Sequence, residues 1–340
     1  MPLLLQVLAK LAPRQAMEYQ KVPTNAQIVY TRQGISPMLF LPEVLGTETA
    51  IKVGRYSGLI CLPILGEAYS EGFRRVCAPS NYYVGGLASV HNSPGLAGWG
   101  HQLELPSGAT EVRAFLIEFE LAKTKPAARK QITKLESLLD PWFGLVREWV
   151  EVTTGQDLSV AEPLGGTATS LNHLWAWRSG STWRKTTAAS ITINAGRPDV
   201  SMAITLQNWQ NAIRNANQGK RPPEPHLLLR DARARFNRGQ YSYSAIFSGI
   251  SVEIVIKHRI EDELRSRRNP QLFIDQLLNN TLGRLLRICK ALSIATPTNV
   301  ERDVVEPRNR AVHRNAVVTK DEAKKSLDLA GQMINDRFPL

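Results

Sequence analysis

Cysteine is nearly missing from this chain. The three present, Cys61, Cys77 and Cys289, are odd in number and far apart, and none forms a C-x-x-C pair. That excludes a disulfide framework and the common zinc-binding spacings, and it fits a reducing cytoplasm. Long apolar runs are missing too. The segment Leu59–Leu65, LICLPIL, is interrupted by Pro63 and is far too short for a bilayer. The opening MPLLLQVLAKLAP lacks a basic leader region, so it reads as a strand or short helix of the fold rather than a targeting or membrane segment. The phosphate loop G-x-x-x-x-G-K-[ST] is absent; PLGGTATS (163–170) has glycines without the lysine. His101 and Glu104 do not make H-E-x-x-H, and no Ser-His-Asp arrangement stands out. No metal and no cofactor is called for. Acid is in deficit: 30 Asp and Glu against 42 Lys and Arg leave a net charge of +12. A charge of that sign favours a polyanionic partner.

What is present changes character along the chain. Residues 1–220 read as mixed, strand-rich structure. AQIVYT (26–31), LICLPIL, EVRAFLIEFELA (111–122) and AASITIN (188–194) are rich in β-branched and aromatic residues, with Gly and Pro between them. Two helices interrupt. One spans about 126–150 and is expected to break near Pro141; the other, TLQNWQNAIRNANQG (205–219), ends on glycine. WAWRSGSTWRK (175–185) reads as a hairpin with tryptophans packed inward, or as an aromatic and basic surface for bases. The proline-rich QGKRPPEP (218–225) then forms a boundary. From 226 to 340 the pattern is helical, with Leu228, Ala232 and Phe236 at helical spacing and a long apolar helix over 241–266. One or two helices follow in 270–292. A last one carries a capping box at Thr319 and Glu322. The expected fold class is therefore α+β, a strand-rich domain followed by an all-α bundle of four or five helices.

Within that bundle lies EPRNRAVHRN (306–315), which places Arg308, Asn309 and His313 within two helical turns. Arginine and histidine five apart carry little alone; Arg221 and His226 repeat the spacing inside the proline-rich boundary. The intervening asparagine and the position after a long apolar helix add weight. With the upstream FNRGQYSYSAIFSGISVEIVIKHRI, these residues resemble the HEPN superfamily, whose pattern is Arg, a polar residue often Asn, three to five more residues, then His. The resemblance covers about 225–336. It implies a HEPN-like helical domain, catalytic roles for Arg308, Asn309 and His313, and a supporting role for Glu253 on the long helix. It also implies a metal-independent endoribonuclease acting as a homodimer through this domain. Products with 2′,3′-cyclic phosphate and 5′-hydroxyl ends are expected, in an antiphage or toxin effector. Residues 1–220 would then sense a protein or phage-derived trigger.

The chemistry is coherent. Histidine moves protons near neutral pH, and arginine stabilises charge on a phosphorane. The RNA's own 2′-OH would be the nucleophile. Asn309 and His313, four apart, share a helix face, and the long stem of Arg308 can swing towards them. Arg310 and Arg314 either grip the RNA backbone or are solvated surface. Pro307, directly before the arginine, implies that Arg308 opens a new helix or follows a kink. The alternative is a non-catalytic HEPN-like dimerisation or RNA- or nucleotide-binding bundle.

Overall fold

The computed structural model describes residues 25–30, 38–70, 73–77, 100–102, 109–112, 115–120, 122, 125–158, 173–177, 203–313 and 317–340. The expected strand at 188–194, the opening segment and Arg178–Lys185 lie outside these residues. Among the described residues the first half contributes ten strands: β1 (Asn25–Tyr30), β2 (Met38–Phe40), β3 (Glu48–Val53), β4 (Tyr56–Cys61), β5 (Ile64–Ser70), β6 (Phe73–Cys77), β7 (Gly100–Gln102), β8 (Thr110–Val112), β9 (Phe115–Glu120) and β10 (His173–Trp177). They pair antiparallel in two five-stranded sheets, ordered β10-β1-β9-β4-β3 and β2-β8-β7-β6-β5. The run LICLPIL is divided between them: Pro63 separates β4 from β5, since proline cannot donate to a central ladder. The tight β3–β4 hairpin pairs Val53 with Tyr56 around Gly54, whose φ of +60° needs glycine.

Helices α1 (Lys125–Thr154) and α2 (Leu206–Asn217) pack on this sheet structure. α1 does not break at Pro141 as expected; it runs through it. The proline removes one helix hydrogen bond, but Leu139, Trp142, Phe143 and Val146 around it are all buried, and that burial offsets the loss. One apolar cluster, from Met38 to Ala216, unites both sheets with α1 and α2; Trp209 sits at its centre, stacked on Phe115 and edge-on to Phe40.

A second cluster runs from Leu229 to Ile334. It is built by α3 (Glu224–Asn237), α4 (Tyr241–Ser266), α5 (Gln271–Leu278), α6 (Leu282–Ala291), α7 (Glu306–His313) and α8 (Lys320–Arg337). Among the described residues this half holds six α-helices, against the four or five expected. Of the one or two helices expected in 270–292 there are two, divided where Asn280 turns its amide back onto the Leu277 carbonyl and closes α5. α4 is central, touched by α3, α5, α6, α7 and α8. The two clusters meet at polar contacts. Glu151 and Glu148 of α1 pair with Arg230 (3.3 Å) and Arg221 (2.6 Å), and the Trp149 indole donates to the Lys220 carbonyl (2.8 Å). No helix among the described residues is long and apolar enough to cross a membrane.

Candidate active site

Arg308, Asn309 and His313 stand on α7, and α7 has an unusual start. The rod does not begin afresh at Arg308, one of the two courses that Pro307 implied. It continues from a π-helical turn, Glu301–Val305, whose last hydrogen bond runs from the Glu306 N–H to the Glu301 carbonyl. A regular helix would ask residue 307 for an N–H and would press its ring on the carbonyl four residues back. The wider turn shifts the bonding register just ahead of the proline, so the chain stays helical. Such π turns often occur at functional positions. Pro307 itself is buried. Asp303, inside the turn, is clasped by Arg302 (2.7 and 2.9 Å) and by the Asn299 amide (2.7 Å). These bonds, Arg302's first, pull its carboxyl down to about 2.

Arg308 points into the bundle. Its stem crosses α4 at Gly249, where an added methyl carbon would lie 2.7 Å from the Arg308 Cγ. Its Nη1 donates to Asn309 Oδ1 at 3.1 Å, and its Nη2 lies 3.8 Å from Glu253 Oε2. Glu253, mostly buried, holds Lys257 Nζ at 2.8 Å on its other oxygen. A polar line thus runs Lys257–Glu253–Arg308–Asn309. The Arg308 Nε is buried and lacks a partner among the described residues.

Asn309 and His313 share one face, as their four-residue spacing requires, and both line a groove of about 510 Å³ together with Glu306 and Arg310. His313 is exposed at the end of α7. Arg308 is not on the groove wall. It stands behind Asn309, holding the amide oxygen so that the amide nitrogen is left to meet a phosphate or a ribose hydroxyl. Glu306 brings a carboxylate to the same wall.

Arg310 is not a free cation. Its guanidinium is paired with Glu322, which is also the third residue of the α8 capping box and accepts from the Thr319 N–H at 2.9 Å. The Thr319 amide and then Arg310 hold the Glu322 carboxyl below the usual range. Arg314 lies outside the described residues. The second Arg–His pair is structural. Arg221 clamps Glu148, while His226 is buried with its Nε2 2.7 Å from the Phe338 carbonyl, and burial lowers its pKa.

Comparison with protein-family models, with curated proteins and with solved structures returned no match for this chain. Gly249 and Lys257 escaped sequence reasoning. A glycine inside an apolar helix is a recognisable sign of close packing, and Glu253 with Lys257 is an ordinary helical pair until its third partner is seen.

Proposed function

We propose that the helical half is a HEPN-like endoribonuclease that cleaves RNA without a metal ion. The observation that supports it best is the shared groove wall of Asn309 and His313, with Arg308 hydrogen-bonded behind Asn309 and tied to Glu253. In this reading His313 removes the proton of a ribose 2′-OH. The 2′-oxygen bonds to the adjacent phosphorus as the bond from phosphorus to the 5′-oxygen breaks. The leaving 5′-oxygen takes a proton, supplied by His313 of a second copy if the chain acts as a homodimer. The Asn309 amide, held and polarised by Arg308 behind it, offsets charge on the phosphoryl oxygens. As an effector in the cytoplasm, the protein would cut host or phage RNA when residues 1–220 meet their trigger, in line with the resemblance of the motif.

The inward course of Arg308 favours a second reading, a bundle that binds RNA without cutting it. One experiment separates them. The purified full chain is offered RNA in the presence of EDTA, with the ends of any product mapped. Cleavage leaving cyclic phosphate ends, lost in His313→Ala and in Arg308→Ala, supports the nuclease. Salt-dependent binding with intact RNA, equal in all three proteins, supports the binding module.

A further inference from the structure

We propose that the outer face of α6 is a track for the phosphate backbone of single-stranded RNA, set apart from the groove on α7. The inference rests on the reading above that RNA is the substrate, and it names where the strand is held. Arg284, Arg287 and Lys290 recur every third residue, and all three are exposed. Successive members are about 4.5 Å apart along the helix axis. The opposite face buries Leu282, Leu285 and Cys289, so the basic face is fixed outward.

Two observations distinguish it from an ordinary solvated surface. The first is pairing. α6 contains no acidic residue, and among the described residues none of the three cations has a carboxylate partner. Elsewhere in this half several exposed cations are neutralised, Arg265 by Glu261 (2.6 Å), Arg267 by Glu263 (2.7 Å) and Lys324 by Asp328 (2.5 Å), and those unpaired among the described residues, such as Arg268, Lys320 and Lys325, do not form a row of three along one helix. The second is the end of the helix. A helix C-terminus ordinarily carries partial negative charge. Here Arg267 Nη2 donates to the Leu292 carbonyl (3.2 Å) and Arg259 Nη1 to the Ala295 carbonyl (3.0 Å). Arg267, just past the end of α4, therefore covers the last carbonyl of α6, and Arg259 of α4 binds a carbonyl three residues farther on, so the negative end of α6 is offset.

The chemistry selects nucleic acid. α6 exposes no large apolar side chain, so it has nothing to insert into a lipid surface. A row of unpaired cations suits a regularly charged strand. α4 lies against both α6 and α7. Gly249, which faces Arg308, and Arg259 are ten residues apart on α4, about 15 Å along its axis.

The test uses the full chain carrying His313→Ala, so that RNA is not consumed. Binding of fluorescent oligouridine is followed by anisotropy across a series of KCl concentrations. Adding Arg284→Glu, Arg287→Glu and Lys290→Glu is expected to weaken binding at low salt by at least about tenfold. It should also flatten the slope of log K against log salt by about 2, at roughly 0.7 per lost phosphate contact. A control with the same charge change at exposed positions of the first half and the boundary, Lys130→Glu, Lys134→Glu and Lys220→Glu, should keep the parent slope. The three alanine substitutions, with thermal melts matched to the parent, should give the same flattening. Equal weakening by both sets, or parent-like binding by the α6 variants, overturns the track. So does parent protein that ignores oligouridine but binds phosphatidylserine vesicles through these residues. Loss of binding in the α6 variants beside a wild type that never cuts RNA would keep the track and reject the nuclease. Cutting that is indifferent to the three residues would do the reverse.

Discussion

Replacing Gly249 by alanine probes the contact on which the geometry of the site depends. Two effects oppose each other. Alanine favours the helix over glycine by about 1 kcal/mol. The new methyl carbon, however, would lie 2.7 Å from Arg308 Cγ and 3.1 Å from its Cβ, closer than carbon atoms pack. Overfilling of this kind costs about 1–3 kcal/mol. Gly249→Ala should therefore be neutral to destabilising by about 2 kcal/mol. In an Arg308→Ala background the 2.7 Å contact is gone and only the milder one remains, so the same substitution should gain stability, by up to about 1 kcal/mol. The predicted coupling between the two positions is about 1–3 kcal/mol. Urea unfolding followed by far-ultraviolet circular dichroism is the suitable assay, because all seven tryptophans precede residue 210 and their fluorescence would report the other half. If the proposed nuclease holds, a parallel RNA-cleavage assay should show Gly249→Ala losing activity with His313 intact, since the displaced arginine releases Asn309. If Gly249→Ala stabilises equally in both backgrounds, the Arg308 stem does not cross Gly249, and the reasoning about the site fails with it.

Other expectations follow from individual charges and caps. Glu151 is buried between Arg147, Arg230 and the Leu158 N–H, with Asp157 nearby; burial raises its pKa from 4.5 to about 7. A folded-state pKa above the unfolded value contributes stability that is present below pH 4.5 and lost as pH rises towards 7, by about 3 kcal/mol at 1.36 kcal/mol per unit. Glu151→Gln should remove that slope, and urea midpoints of variant and wild type that run parallel from pH 5 to 8 would refute it. Asp303 has the opposite sign: its pKa falls from 3.8 to about 2. The deficit of Asp303→Asn in thermal stability should be full above pH 3.8 and vanish as pH falls to about 2. Thr319→Ala removes the α8 capping box and should cost about 1 kcal/mol in urea titrations, with a loosened Arg310 as the accompanying change.

Local patterns in the chain carried much of this organisation. The strand-rich half, the long helix over 241–266 and the capping box at Thr319 follow from periodicity and from residues three to four apart, which chain geometry alone brings together. The same rule placed Asn309 and His313 on one face. Other features depended on partners far away in sequence. Whether Pro141 breaks its helix turned on how much apolar surface surrounds it. The π turn that carries the rod through Pro307 is a shift of backbone register that no residue type announces. Arg310 looked free until α8, a separate helix, supplied Glu322 twelve residues on. Arg308 could have swung outward or inward on its long stem. Composition and spacing determined that an arginine, an amide and an imidazole would share α7. Only tertiary packing, with Gly249 leaving room and Glu253 offering charge on α4, decided that the arginine turns inward and stands behind the asparagine, because a flexible side chain goes where a neighbouring element leaves space and a counter-charge.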